Sequence, residues 1–232
     1  GTSTASPFAT FNKSWTKVMP GQSLCLMDGV YKQTLNPNVR NGTATQPITV
    51  RALNDGKAII DGEGVRVPVK LGDTWPGPIG EYFVIEGIVA QNSSESVWEI
   101  YGNNNVLKRT SGYNANTNTN DHVYFIWANG NVIDGCIASG TGRNMLLIYQ
   151  GNNNRISNCV ALWTQWDGRD FCSVQYPNGN NVVIYNASNN IVENTYAVAK
   201  APGRGILIQA NSDAVHADNN KILGGGAVLT GK

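Results

Sequence analysis

Seven short segments of the chain close in nearly the same way, on an apolar pair, a polar residue and a Gly or Asn. They are Ile59-Ile60-Asp61-Gly62, Val84-Ile85-Glu86-Gly87, Val106-Leu107-Lys108-Arg109, Val132-Ile133-Asp134-Gly135, Arg155-Ile156-Ser157-Asn158, Ile191-Val192-Glu193-Asn194 and Lys221-Ile222-Leu223-Gly224, with Arg109 the exception at the last position. Gly and Asn enter the left-handed backbone region at least cost, so each segment reads as a short strand followed by a one-residue corner. The last residues are separated by 25, 22, 26, 23, 36 and 30 positions. A recurrence of that length, made of short β-rich runs, constrains the chain to a solenoid whose turns bury their apolar faces against one another.

Longer stretches repeat as well. His122 to Ser139, Asn144 to Leu162 and Asn181 to Ala199 each begin with an apolar strand ending in Ile and an aromatic, namely Ile126-Trp127, Ile148-Tyr149 and Ile184-Tyr185. Ile100-Tyr101 belongs to the same series. An Asn/Gly turn follows, then a second strand, the left-handed corner and a third strand such as Cys136-Ile137-Ala138 or Cys159-Val160-Ala161. Three strands per coil without helical periodicity predict an all-β parallel β-helix of about seven to eight coils. Equivalent residues stack about 4.8 Å apart along the axis. Cys136 is then expected over Cys159, with Thr110 and Ile88 below and Thr195 above, and an Asn or Gly ladder along the corner.

These repeats, from about Val84 to Gly225, resemble the right-handed parallel β-helix proteins of the pectate-lyase-like superfamily. The segments Pro20-Gly21-Gln22-Ser23-Leu24, Met27-Asp28-Gly29-Val30-Tyr31 and Pro47-Ile48-Thr49-Val50-Arg51-Ala52 look like the first coil of many secreted members that act on carbohydrates. The resemblance implies a choice among polysaccharide lyases, hydrolases, phage tailspikes and non-catalytic adhesins, because one fold hosts many functions. For a lyase it further implies calcium, held by acidic side chains, with a Lys or Arg base on the outer face of the first strand of each coil.

Composition narrows the classes. Charged residues make up 14% of the 232 and the formal net charge is +1, without the basic stripe of a nucleic-acid binder. No apolar run reaches the ~18 residues that span a bilayer. Gly1 to Phe11 has neither a charged nor an apolar leader segment and reads as a processed, mature start, which points to an extracellular or cell-surface protein. Asn12, Asn41, Asn92 and Asn186 begin formal glycosylation sequons, a weak signal in an Asn-rich chain.

Alternation along the first strand of each coil predicts its outer face. If Ile100, Ile126, Ile148 and Ile184 point inward, one outward row reads Glu99, Phe125, Leu147, Val183 and Leu207, and the next Tyr101, Trp127, Tyr149, Tyr185 and Gln209. This apolar and aromatic strip does not look like a calcium-dependent groove. Three readings fit it: burial under long loops such as Trp163 to Cys172, contact with another chain, or a platform for sugar rings. Catalytic candidates lie at the loop edge: Arg143, with Asp167, Arg169 and Asp170 in the long loop, and Asp121, His122 and Arg204 nearby. A carboxylate pair beside an Arg suits acid–base cleavage of a glycosidic bond, whereas an Asp–Arg pair that pins a loop is the simpler reading. Lys108 and Arg109 sit at a corner, and His216 lacks the Cys/His cluster of a metal site, so no metal site and no cofactor other than a lyase's calcium is expected.

Of the four cysteines, Cys136 and Cys159 share a slot on adjacent coils. Their side chains would run parallel, so a disulfide is open to them but two or more free buried thiols are expected. The chain reads as a single β-helix domain over 1–232, with a lead-in and cap segment over 1–46, coils over 47–225 and an uncapped or truncated end over 226–232. The apolar strip and the uncapped end together predict a self-associating extracellular subunit of a fibre, sheath or surface layer, whose partners are other copies of itself. The alternative is a polysaccharide lyase, glycoside hydrolase or glycan-binding adhesin, with polysaccharide as its partner.

Overall fold

A computed structural model describes residues 1–232 apart from 2, 4, 38–39, 74–78, 118, 165–178, 201–203, 213–214 and 231–232. The described residues form a parallel β-solenoid of about seven turns with three strands per coil. The first sheet stacks β1 (Ser23–Leu26), β3 (Ile48–Ala52), β6 (Phe83–Glu86), β9 (Val106–Lys108), β12 (Val132–Asp134), β15 (Arg155–Ser157), β18 (Ile191–Glu193) and β21 (Lys221–Leu223). The second stacks β2 (Gly29–Tyr31), β4 (Ala58–Asp61), β7 (Ile88–Gln91), β10 (Ser111–Tyr113), β13 (Ile137–Gly140), β16 (Val160–Trp163), β19 (Tyr196–Lys200) and β22 (Gly226–Thr230). The third stacks β5 (Val69–Leu71), β8 (Trp98–Ile100), β11 (His122–Ile126), β14 (Asn144–Tyr149), β17 (Asn180–Tyr185) and β20 (Arg204–Gln209). One short helix, α1 (Phe11–Trp15), starts at Thr10, whose side chain accepts from the Lys13 N–H; it buries Phe11 and Trp15, with Trp15 edge-on to Phe83.

The strands exist because each places one apolar position inward per coil, and those positions stack. Val50, Ile85, Leu107, Ile133, Ile156 and Val192 are aligned by the pairing of the first sheet and are at most 1% exposed. Burying a side chain of this size contributes about 1.5–3 kcal/mol. The second sheet faces them with small residues, Ala90, Gly112, Ala138, Ala161 and Ala197. Small side chains there leave room for Trp98 and Tyr124, which stack with ring centroids 5.5 Å apart. A Cβ on Gly112 would run into Val123 and Trp98.

Six of the seven repeated segments lie in the first sheet, and their corners are left-handed: φ is 68° at Gly87, 51° at Arg109, 66° at Gly135, 55° at Asn158, 44° at Asn194 and 65° at Gly224. Gly62 is not left-handed, which corrects the sequence register. Ile59-Ile60-Asp61 forms β4 and pairs with Ile88 to Gln91 in the second sheet, so its equivalent in the corner series is Ile48 to Ala52. The described coils therefore start from Ser23, inside the expected lead-in segment, and Gly226 to Thr230 is a third strand in the last described coil.

The main Asn ladder runs along a different turn from the expected one. The Asn105, Asn131, Asn154 and Asn190 carboxamide oxygens accept from the backbone N–H of Phe83, Asn105, Asn131 and Asn154 respectively, each at 2.8 Å. All four side chains are 2% exposed or less. This turn lies before the second strand of the coil rather than after it. At the corner the corresponding contact is weaker, with Asn194 Nδ2 donating to Asn158 Oδ1 at 3.4 Å.

The cysteine slot falls in the expected register, with Ile88, Thr110, Cys136, Cys159 and Thr195 buried in one column. Cys136 and Cys159 are joined by a disulfide across Cα atoms 4.5 Å apart, which corrects the expectation of free thiols there. Adjacent coils bring the two sulfurs close enough although the side chains leave parallel strands. Cys25 is free and exposed, and Cys172 lies outside the described residues.

Candidate functional site on the outer face of the six-stranded sheet

The third sheet carries the candidate site because its outer face gathers a continuous strip of aromatic rings and the buried Glu99 and His122. Pairing aligns Lys70, Glu99, Phe125, Leu147, Val183 and Leu207 in one outward row. Tyr149, Tyr185 and Gln209 pair in a second row, one position beyond the inward Ile148, Ile184 and Ile208, and Tyr101 and Trp127 hold the same place after Ile100 and Ile126. A third row opens β11, β14, β17 and β20 with His122, Asn144, Asn180 and Arg204. It is outward because Val123 and Tyr124 both turn into the core: the Val123 methyl lies against Gly112, and Tyr124 donates to Thr110.

The aromatic strip is continuous. Tyr101, Phe125, Trp127, Tyr149 and Tyr185 touch in sequence, with ring centroids 5.1 to 6.1 Å apart, and Tyr149 and Tyr185 are stacked. These rings are half-buried, while Leu147 and Val183 in the neighbouring row are 5% and 3% exposed. Trp127 Nε1 is buried and meets no hydrogen-bond partner among the described residues.

Charge is concentrated at the other end of the same face. Lys70 Nζ lies 3.7 Å from Glu99 Oε2 and 5.6 Å from the Tyr101 ring centroid. Glu99 is 3% exposed, and burial pushes its carboxyl up to about 7, with Lys70 opposing the shift. Asp121 is pushed up to about 6, also by burial first and then by Glu95. Tyr101 is raised well above the usual phenol range by burial and by Glu99. His122 moves the opposite way, down to about 3, because burial and the nearby Arg143 both penalise its cation. Arg143 Nη1 donates to Asn120 Oδ1 at 2.6 Å, and the Arg143 N–H donates to the Asp121 carbonyl at 2.7 Å, so the edge loops of two coils are tied together.

Of the catalytic residues expected from sequence, Arg143 lies at this charged end, whereas Asp167, Arg169 and Asp170 lie outside the described residues, as does most of the Trp163 to Cys172 loop. Among the described residues no three His, Cys, Asp or Glu side chains come close enough together to hold a metal ion. The acidic calcium ligands that the resemblance implies have no such cluster as a counterpart among the described residues. Lys70, Asn144 and Asn180 escaped the sequence reading. Lys70 sits on a three-residue strand without the Ile-aromatic ending, and the alternation carried one coil back through Val69-Lys70-Leu71 was the signal for it. The two Asn residues were hidden by a break in alternation between Val123 and Tyr124.

No helix among the described residues is long and apolar enough to cross a membrane. No curated protein sequence matches the chain. Among solved structures it is similar to the pectate lyase Pel9A, with a TM-score of 0.60 and 20% identity, covering 100% of this chain and 57% of that one. It therefore spans little more than half of that enzyme's length. It is also similar to an alginate lyase from Paenibacillus sp. str. FPU-7, with a TM-score of 0.57 and 13% identity over 94% of this chain and 95% of that one. A pectin methylesterase solved with a hexasaccharide gives a TM-score of 0.54 at 11% identity over 85% of this chain and 78% of that one. At these identities the structures share the fold. The sequence itself carries the closer link, because the family model described as Chondroitinase B matches residues 8–210. A family match that runs over most of the length of this β-solenoid makes the chain a member of the Chondroitinase B family.

Proposed function

We propose that the chain is the β-helix of an extracellular polysaccharide lyase, and that an acidic polysaccharide lies along the outer face of the six-stranded sheet. The family match and the lyase-like neighbours favour this reading over the self-associating subunit expected from the sequence. The observation that carries it is the convergence, on one face, of a carboxyl poised near neutrality, two cations and a strip of aromatic rings.

Eliminative cleavage of a uronic-acid chain removes the proton on the carbon next to the carboxylate. The electron pair forms a double bond to the neighbouring carbon, and the glycosidic oxygen leaves from that carbon with a proton. Three groups are required: a cation against the carboxylate, a base and an acid. Arg143 is the cation. Glu99, with its carboxyl near 7, is the base once ionised. Lys70, 3.7 Å away, holds the ionised form. Tyr101, kept protonated by burial and by Glu99, is the acid for the leaving oxygen. The aromatic strip supplies apolar ring faces for neighbouring sugars, spaced by a coil rise of about 4.8 Å that is comparable to one pyranose unit.

Incubation with pectate, alginate and chondroitin, followed by ultraviolet absorbance of unsaturated ends, tests the reading. We expect product from at least one of the three, and a loss of about a hundredfold or more in Glu99→Gln and in Arg143→Ala, in line with general acid–base contributions. Absence of product from all three, or full activity in both variants, would overturn it.

A further inference from the structure

His122 offers a second recognition element on this face, and the reason lies in its neighbours. Pairing puts His122, Asn144 and Asn180 in register on three successive coils. Asn180 Nδ2 donates to Asn144 Oδ1 at 2.7 Å, which turns the Asn144 amide nitrogen toward His122 Nδ1, 3.0 Å away. The side chains are 3%, 4% and 6% exposed, so water does not compete for these bonds. A carboxamide nitrogen has only hydrogens to offer, so Nδ1 must accept and the ring proton must sit on Nε2. A second ring proton would face the Asn144 amide hydrogens, with Arg143 close by. The ring lies against Phe125, centroids 5.3 Å apart, and among the described residues the hydrogen bond of the ring is made at Nδ1.

We propose that the Asn180–Asn144 relay locks His122 as a neutral Nε2–H donor, and that this donor, with Arg143, recognises the carboxylate of a uronic-acid unit. Asn144 and Asn180 are positioning residues, and His122 is a recognition residue rather than a general base. The ligand class rests on the lyase reading, whereas the tautomer lock does not. The charge that acts on the ring is Arg143; Asp121, Glu95 and Glu99 act on one another, with Lys70 beside Glu99, and Arg204 lies further along the His122 row.

The chain has two histidines, so nitrogen-15 NMR of the labelled full chain resolves His122 against the exposed His216. We expect His122 to carry its proton on Nε2, with a bare Nδ1, throughout about pH 5–8. Asn144→Asp, nearly isosteric, should move the proton to Nδ1, because a carboxylate only accepts. Oligosaccharides cut from pectate, alginate and chondroitin are the binding probes, and one of them should shift the Nε2–H signal. His122→Leu should weaken its binding about tenfold or more, the range of a hydrogen bond to a charged group, while His122→Gln, which keeps a donor, stays within about threefold. A His122 that ionises in this range, a wild-type proton on Nδ1, no shift with any probe, or a Leu variant that binds like wild type would overturn the proposal. A locked, probe-sensitive His122 without unsaturated product keeps it and removes the lyase reading, whereas product formation with a titrating His122 does the reverse.

Discussion

Single side chains in this solenoid act on two coils at once. Asn154 accepts from the Asn131 N–H at 2.8 Å and donates to the Ala128 carbonyl at 2.9 Å, and both contacts are buried. Asn154→Ala would strand a donor and an acceptor, each costing about 1–3 kcal/mol, so a loss of roughly 2–6 kcal/mol is expected in urea unfolding. A change below about 0.5 kcal/mol would mean that water replaces the amide. Glu99 acts in the opposite sense. Its folded value, about 7, is raised above the unfolded one, so its contribution is fully present below about pH 4.5 and is lost as pH rises through 7. Asp121, raised to about 6, behaves likewise over a lower window. His122, lowered to about 3, adds stability above about pH 6.5 that falls away in acid, so it opposes the two carboxyls between. Glu99→Gln removes the larger of the two carboxyl contributions that fall toward alkaline pH. It should raise stability by about 1–3 kcal/mol at pH 8 and by little at pH 4, as read from unfolding midpoints at the two pH values. Equal effects at both would assign the gain to packing.

At the scale of strands and turns, the disulfide joins β13's coil to β16's through the residues just before each strand, Cys136 and Cys159. It closes a loop of 23 residues, worth about 3 kcal/mol in the chain-entropy account. Unreduced peptide mapping should return the two cysteines linked, with Cys25 open to alkylation, and reduction should lower unfolding stability by about that amount. Recovery of both as free thiols would restore the reading made from the sequence. That reading failed for a definable reason: shared ladder slots were legible, but whether two parallel side chains on adjacent coils meet depends on local backbone tilt. The same division holds elsewhere. The outward rows Phe125–Leu147–Val183 and Tyr149–Tyr185 were legible because strand alternation has a fixed period. Ile59-Ile60-Asp61 was misplaced because strands of the first and second sheets share one apolar-polar pattern, so a four-residue match cannot say which it belongs to. The row from His122 to Arg204 was lost where two successive residues turn inward. Charge partners such as Lys70 and Glu99 meet only through the coil stacking, across 29 positions of sequence.

For the whole molecule, stability is a sum of coil terms and nearest-neighbour terms, so its distribution along the axis is readable from burial. The central coils are closed on both sides: Ile85, Leu107, Ile133, Ile156 and Val192 are at most 1% exposed. The next residue in that column, Ile222, is 42% exposed, and Ile208 and Val228 in the same coil are 39% and 53% exposed. The last coil also meets an Asn ladder that ends at Asn220, which accepts from the Asn190 N–H. Among the described residues its strands gain apolar burial and axial hydrogen bonds on one side, whereas β12 and β15 gain them on two. Local opening requires less free energy where fewer buried contacts are broken. Hydrogen exchange of this chain should show the strongest protection in β9 through β18 and the weakest in β20 to β22, with opening free energies that differ by several kcal/mol. Because the outer-face site is built on β5 to β17, it should stay protected at denaturant concentrations that already open the last coil. Uniform exchange along the axis would instead make the solenoid one cooperative unit, with the site no more rigid than the exposed coil.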